Sequence, residues 1–152
     1  MSSIYIGFKG RNNASSVLVQ SLSGDRYLLT NSFAGLKRDI EALDGSYDRA
    51  ILFGVDKGLK GAVRIEKAAE SENGMRLLSV LDLEGIAKRF ATAGVASCLS
   101  DRPTHYLCNE AYWHALWKFG GKAVLIHIPT IKYADAAFIG RVKRALDRIS
   151  IR

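Results

Sequence analysis

Proline and cysteine are scarce, with two of each in 152 residues. Neither Pro103 nor Pro129 marks a linker, and no repeat, low-complexity segment or break in composition divides the chain, so one domain is expected. Two cysteines, Cys98 and Cys108, cannot build a disulfide framework, which makes a reducing cytoplasm the expected location. No paired Cys/His spacing suits zinc. No apolar run nears the roughly 20 residues of a membrane span. The start, "MSSIYIGFKG", lacks a basic region followed by a long apolar stretch, so no secretory signal is expected.

What is present is an ordinary globular composition. Apolar residues make up 48% and charged residues 24%, enough for a sizeable core under a solvated surface. Twenty-two basic residues against 15 acidic give a net charge of +7, which raises the question of a nucleic-acid partner. The excess is scattered through "FKGR", "DKGLKGAVRIEK" and "GRVKRALDRISIR", interleaved with acidic and apolar residues. That pattern reads as solvated helix faces and argues against nucleic acid.

Short apolar runs alternate with amphipathic stretches. Strands are expected over 3–8, 26–30, 49–55, 62–68, 95–100 and 122–129, and helices over 13–22, 34–43, 82–94, 107–118 and 134–149. Asn13 and Asp82 are candidate caps, and Gly94 a stop. The run "RAILFGV" suits a strand buried on both faces, whereas "AVRIEKA" alternates and suits a more exposed one. Strand–helix alternation with short links predicts a three-layer α/β/α sandwich around a mostly parallel sheet.

In such sheets ligand sites gather at the carboxyl ends of strands. His127 ends the apolar run "AVLIH", and Cys108 falls in the first turn of a helix, where free N–H groups and the macrodipole favour a thiolate. Each also has a plain reading as a core residue. Cys98, inside "VASCLS", reads as core. In "RIEKAAE", Val63 and Ile65 share one strand face and Arg64 and Glu66 the other. Glu66 could orient an imidazole, or belong to a charged surface strand. His105 and His114 flank Cys108 on the chain and carry weaker claims.

"YLCNEAYWHAL" followed by "AVLIHIP" resembles the cysteine and histidine motifs of pyroglutamyl peptidase I, the pyrrolidone carboxyl peptidases. "GVDKGLKGAVRIEKAA" is similar to the stretch carrying that family's catalytic glutamate, and "IYIGFKG" to its first strand. The likeness is dense around 54–69 and 94–129. It implies a single domain of that type over 1–152, phosphorylase/hydrolase-like in fold and shortened relative to the family. It also implies a cysteine hydrolase acting on a pyroglutamyl peptide or related acyl amide, without metal or organic cofactor. Cys108 would be the nucleophile, His127 the general base and then acid, and Glu66 the group that orients His127. Phe8, Tyr106 and Leu107 would match pocket positions, and Arg76 an arginine near the oxyanion. The second phenylalanine of the family's Gly-Phe-x-Pro-Phe pattern is absent, and Lys9, Gly10 and Arg11 stand there instead. Arg11 is therefore a candidate partner for a carboxylate or phosphate. A small-ligand-binding relative without turnover is the alternative reading. The aromatic surface of Tyr112, Trp113, Trp117 and Phe119 also raises burial in a homo-oligomer.

Overall fold

A computed structural model describes residues 2–104 and 106–150. The elements, in chain order, are β1 (Ser3–Phe8), α1 (Ala14–Ser21), β2 (Asp25–Leu29), α2 (Phe33–Ala42), β3 (Arg49–Val55), β4 (Ala62–Glu66), β5 (Ala68–Glu70), β6 (Arg76–Leu78), α3 (Leu83–Thr92), β7 (Ala96–Ser100), α4 (Leu107–Lys118), β8 (Ala123–Ile128) and α5 (Ala136–Ser150). The expected helices are all present. Asn13 accepts from the Ser15 N–H and Asp82 from the Gly85 N–H, so both predicted caps form.

The main sheet has the order β2-β1-β3-β8-β4-β7. Its first four strands are mutually parallel, β4 runs antiparallel to β8, and β7 runs parallel to β4. Alternation along the strands sorts their side chains into two cores. Tyr5, Ile51, Phe53, Val63, Ile65, Val124 and Ile126 pack under α1, α3 and α5. Ile4, Ile6, Phe8, Ala50, Leu52 and Leu125 pack under α2 and α4. This is the expected three-layer sandwich with a mostly parallel sheet. Burial of large side chains such as Phe53, Phe90, Tyr112 and Phe138 drives it, at about 1.5–3 kcal/mol each.

Three expectations need correction. β4 is not an exposed strand: it sits between β8 and β7, with Val63 and Ile65 fully buried and Glu66 nearly so. Its charged face is covered rather than solvated. The strand expected over 62–68 stops at Glu66, and the chain instead makes a β5–β6 hairpin, with Ala68 opposite Leu78. The Asn73-Gly74 pair was the available signal, Gly74 taking the positive φ (83°) that such turns use. Cys98 is exposed rather than buried in the core, because β7 is the edge strand.

Candidate active site

The site forms where three strands and one helix meet. Gly54 on β3 lies opposite His127 on β8, and His127 lies opposite Arg64 on β4. The antiparallel register then puts Glu66 diagonally across from His127, on the same face of the sheet. At that diagonal the His127 Nδ1–Glu66 Oε2 distance is 2.9 Å, and both side chains are buried. His127 thus meets the expectation for a strand's carboxyl end. Glu66 reaches the same place from the end of a strand running the other way.

Cys108 enters from above on α4. Its helix is fixed by two buried hydrogen-bonding residues. Asn109 is held twice by the Glu70 backbone, Nδ2 donating to the carbonyl at 2.7 Å and Oδ1 accepting from the N–H at 3.0 Å. The Tyr112 hydroxyl donates to the Glu66 carbonyl at 2.8 Å. With α4 so placed, the sulfur drops over Gly54. A Cβ at position 54 would stand 2.5 Å from Cys108 Sγ and 3.3 Å from His127 Nε2. Sulfur and imidazole therefore flank the same small space, which exists because residue 54 has no side chain.

Arg64 and Asp56 complete the cluster, and neither was a candidate from the sequence. Arg64 Nε donates to Glu66 Oε2 at 2.5 Å and Nη2 to Asp56 Oδ2 at 2.7 Å, with Nη2 also 3.3 Å from His127 Nδ1. Burial opposes the Arg64 charge, but its bonds to Glu66 and Asp56 prevail and raise its pKa. Burial likewise pushes the Asp56 carboxyl up, yet hydrogen bonds from the Gly58 N–H and Arg64 bring it below its ordinary value. Glu66 Oε1 is buried with no hydrogen-bond partner. The signal for Arg64 was its shared strand face with Glu66, which the sequence does display.

The remaining sequence candidates are spread more widely. Phe8 and Leu107 belong to the same apolar cluster as Cys108, Phe8 being buried. Tyr106, at the N-terminus of α4, is 78% exposed. Arg11 is exposed on the turn after β1. Arg76 bonds to Glu70 Oε1 and to the Asp101 carbonyl, not to Cys108, His127 or Glu66. His114 pairs with Glu110 along α4. His105 lies outside the described residues. Among the described residues no cluster of His, Cys, Asp or Glu has the makings of a metal site, and no helix is long and apolar enough to cross a membrane.

The helix-terminus effect expected at Cys108 is outweighed by burial. Desolvation lifts the thiol from its ordinary 9.0 to about 11; a hydrogen bond from the Val55 N–H works against this, and the charges of Glu66 and Asp56 add to it. The resting sulfur is then a thiol. Alkylation of Cys108 is expected to be slow at pH 7 and to quicken toward pH 11, well after the exposed Cys98 has reacted. Intact-mass kinetics in wild type and Cys98→Ser check this. Rapid labelling of Cys108 at pH 6 that vanishes in His127→Ala would instead mean a resting thiolate–imidazolium pair. The sign for stability follows. A thiol that holds its proton longer in the folded chain stabilises fully below about 9, and that contribution is lost as pH rises through about 11.

No family model matches the chain. Pyroglutamyl-peptidase 1 of Rattus norvegicus and of Homo sapiens are each 31% identical to it over 71 residues, 45% of this chain and 34% of theirs. The match thus spans about a third of the length of these curated relatives. Among solved structures, pyroglutamyl peptidase I of Bacillus amyloliquefaciens superposes with a TM-score of 0.80 at 16% identity, covering 99% of this chain and 95% of that one. The pyrrolidone carboxyl peptidase of Thermococcus litoralis gives 0.75 at 18% identity, covering 99% and 94%. The fold is therefore that of the pyroglutamyl peptidases, as the sequence resemblance implied.

Proposed function

We propose that the chain is a cysteine hydrolase of the pyroglutamyl peptidase type, a single domain cleaving an N-terminal pyroglutamyl or related acyl amide. The observation that carries this reading is the convergence on Gly54. Glu66 Oε2 lies 2.9 Å from His127 Nδ1, while His127 Nε2 and Cys108 Sγ flank one point above the glycine. A carboxylate at Nδ1 favours the tautomer with its proton there, which leaves the Nε2 lone pair facing the sulfur.

In this mechanism His127 Nε2 takes the Cys108 proton as the sulfur attacks the amide carbonyl. The proton transfer creates the thiolate at the moment of use, which suits a thiol whose free ionisation burial opposes. The carbonyl oxygen becomes an oxyanion, and the N–H groups in the first turn of α4, which no side chain caps, are its candidate donors. His127 then protonates the leaving amine. Water, deprotonated by His127, attacks the thioester, releases the acid and returns the proton to sulfur. The substrate would be a small peptide or acyl amide, and the two free cysteines suit a cytoplasmic setting.

The test is hydrolysis of pyroglutamyl-7-amido-4-methylcoumarin, followed by other acyl amides, with and without prior alkylation. Turnover that disappears when Cys108 is carboxamidomethylated is expected. Turnover indifferent to Cys108 modification, or none across the panel, would remove the hydrolase reading. The second outcome would favour a ligand-binding relative, the reading that the burial of the thiol supports.

A further inference from the structure

Arg64 occupies a place that a stabilising surface pair would not need. It stands directly opposite His127 in the β4–β8 register, on the face that carries Glu66. Its guanidinium spans two carboxylates, Nε on Glu66 Oε2 and Nη2 on Asp56 Oδ2, and passes within 3.3 Å of His127 Nδ1. Glu66 Oε2 is thus held by two donors, the guanidinium and the imidazole, while Oε1 has none. The carboxylate rotates out of line with His127 only by giving up its bond to Arg64.

The charge count around the ring is equally particular. Facing the imidazole are Arg64 and Glu66 from β4, Asp56 from the turn after β3, and Cys108 from α4; the Tyr112 hydroxyl, also from α4, is engaged by the Glu66 carbonyl. Two carboxylates would hold His127 as imidazolium, which cannot accept a proton from the thiol. The guanidinium between them, 3.3 Å from Nδ1, sets one positive charge against the two carboxylates.

We infer that Arg64 is a positioning residue of this site: it aligns Glu66 on His127 Nδ1 and keeps the imidazole neutral, free to receive the Cys108 proton. The inference rests on the cysteine-hydrolase reading for its purpose, but its physical content concerns the proton on His127. A structural ion pair would hold the fold without tuning that proton.

The experiment is an NMR titration of the histidine ring protons in the full chain, with His127 assigned through His127→Gln. In Arg64→Met the pH at which His127 takes up its proton is expected to rise by about one unit, a tenfold gain in proton affinity. Arg64→Lys, which keeps the charge but not the fork, is expected to return most of that shift. Asp56→Asn removes a carboxylate and is expected to move the midpoint the other way, and it serves where Arg64→Met fails to fold. An unmoved His127 titration in folded Arg64→Met, or a midpoint that does not fall in Asp56→Asn, would overturn the inference and leave Arg64 a structural pair. The titration requires no turnover. Absence of hydrolysis would therefore count against the hydrolase reading alone, and an absent shift against the role of Arg64 alone.

Discussion

Gly54→Ala is expected to remove most of the proposed hydrolytic activity and to destabilise the fold by about 1–3 kcal/mol. The added methyl would lie 2.5 Å from Cys108 Sγ, closer than real Cβ atoms come to a neighbour, and 3.2 Å from His127 Cδ2, tight enough that the ring would have to give way. Neither neighbour retreats easily. His127 is held at Nδ1 by Glu66 inside an interior strand, and Cys108 rides on a helix pinned by Asn109 and Tyr112. β3 is itself hydrogen-bonded on both sides, to β1 and β8, so the backbone cannot drop away. Sulfur and imidazole must therefore part, and displacements of about 1 Å at reacting atoms cost on the order of a hundredfold in rate. The decisive measurement is a double-mutant cycle in urea unfolding. In a Cys108→Ala background the sulfur is gone, so Gly54→Ala should cost distinctly less than in wild type. Equal costs in the two backgrounds would mean that the sulfur does not stand over Gly54, and the convergence of sulfur and imidazole would be lost with it.

The sequence displayed some of this directly, in residues whose environment is local. The apolar runs of β1, β3 and β8 declared buried strands, and Cys108 and His127 could be set at a helix start and a strand end without knowing what they touched. Glu66 was a candidate from its strand face, but only the resemblance favoured a role for it, because a strand reading Val-Arg-Ile-Glu is equally suited to a wet surface and to a buried charge cluster. The difference is made by α4, which covers that face, and by the antiparallel pairing with β8, which brings residue 64 opposite 127. Such pairings join segments some sixty residues apart and leave no mark on local periodicity. Arg64 and Asp56 were missed as neighbours of His127 for that reason: the strand face shows Arg64 beside Glu66, but only the register sets it opposite His127 and brings Asp56 in through it. Cys98 was misplaced by the converse error. Its strand has core-like residues, but its position at the sheet's edge leaves the cysteine uncovered.

Glu66→Gln is the second change expected to have a large effect, and Arg64 determines its character. The same oxygen, Oε2, accepts from both Arg64 Nε and His127 Nδ1. An amide at this position must turn its oxygen toward the guanidinium, since its NH2 would meet a donor there. That oxygen still accepts the Nδ1 proton, so the ring keeps its orientation and tautomer. What disappears is the negative charge, which leaves a guanidinium 3.3 Å from the ring with only Asp56 to offset it. The imidazole then becomes a weaker base by an amount that a lost opposite charge typically sets. The plateau rate is expected to fall roughly a hundredfold to a thousandfold, with the acid limb of the pH–rate profile moving to lower pH. Stability should drop by about 1–3 kcal/mol, because the amide NH2 lands where Glu66 Oε1 has no partner. The pH–rate profile of the variant, measured beside its urea unfolding curve, separates the possibilities. A lower plateau with a displaced limb would assign to Glu66 an electrostatic share in the proton transfer. A loss of less than tenfold with an unmoved limb would mean that His127 works without Glu66, and the carboxylate would then be there for the fold.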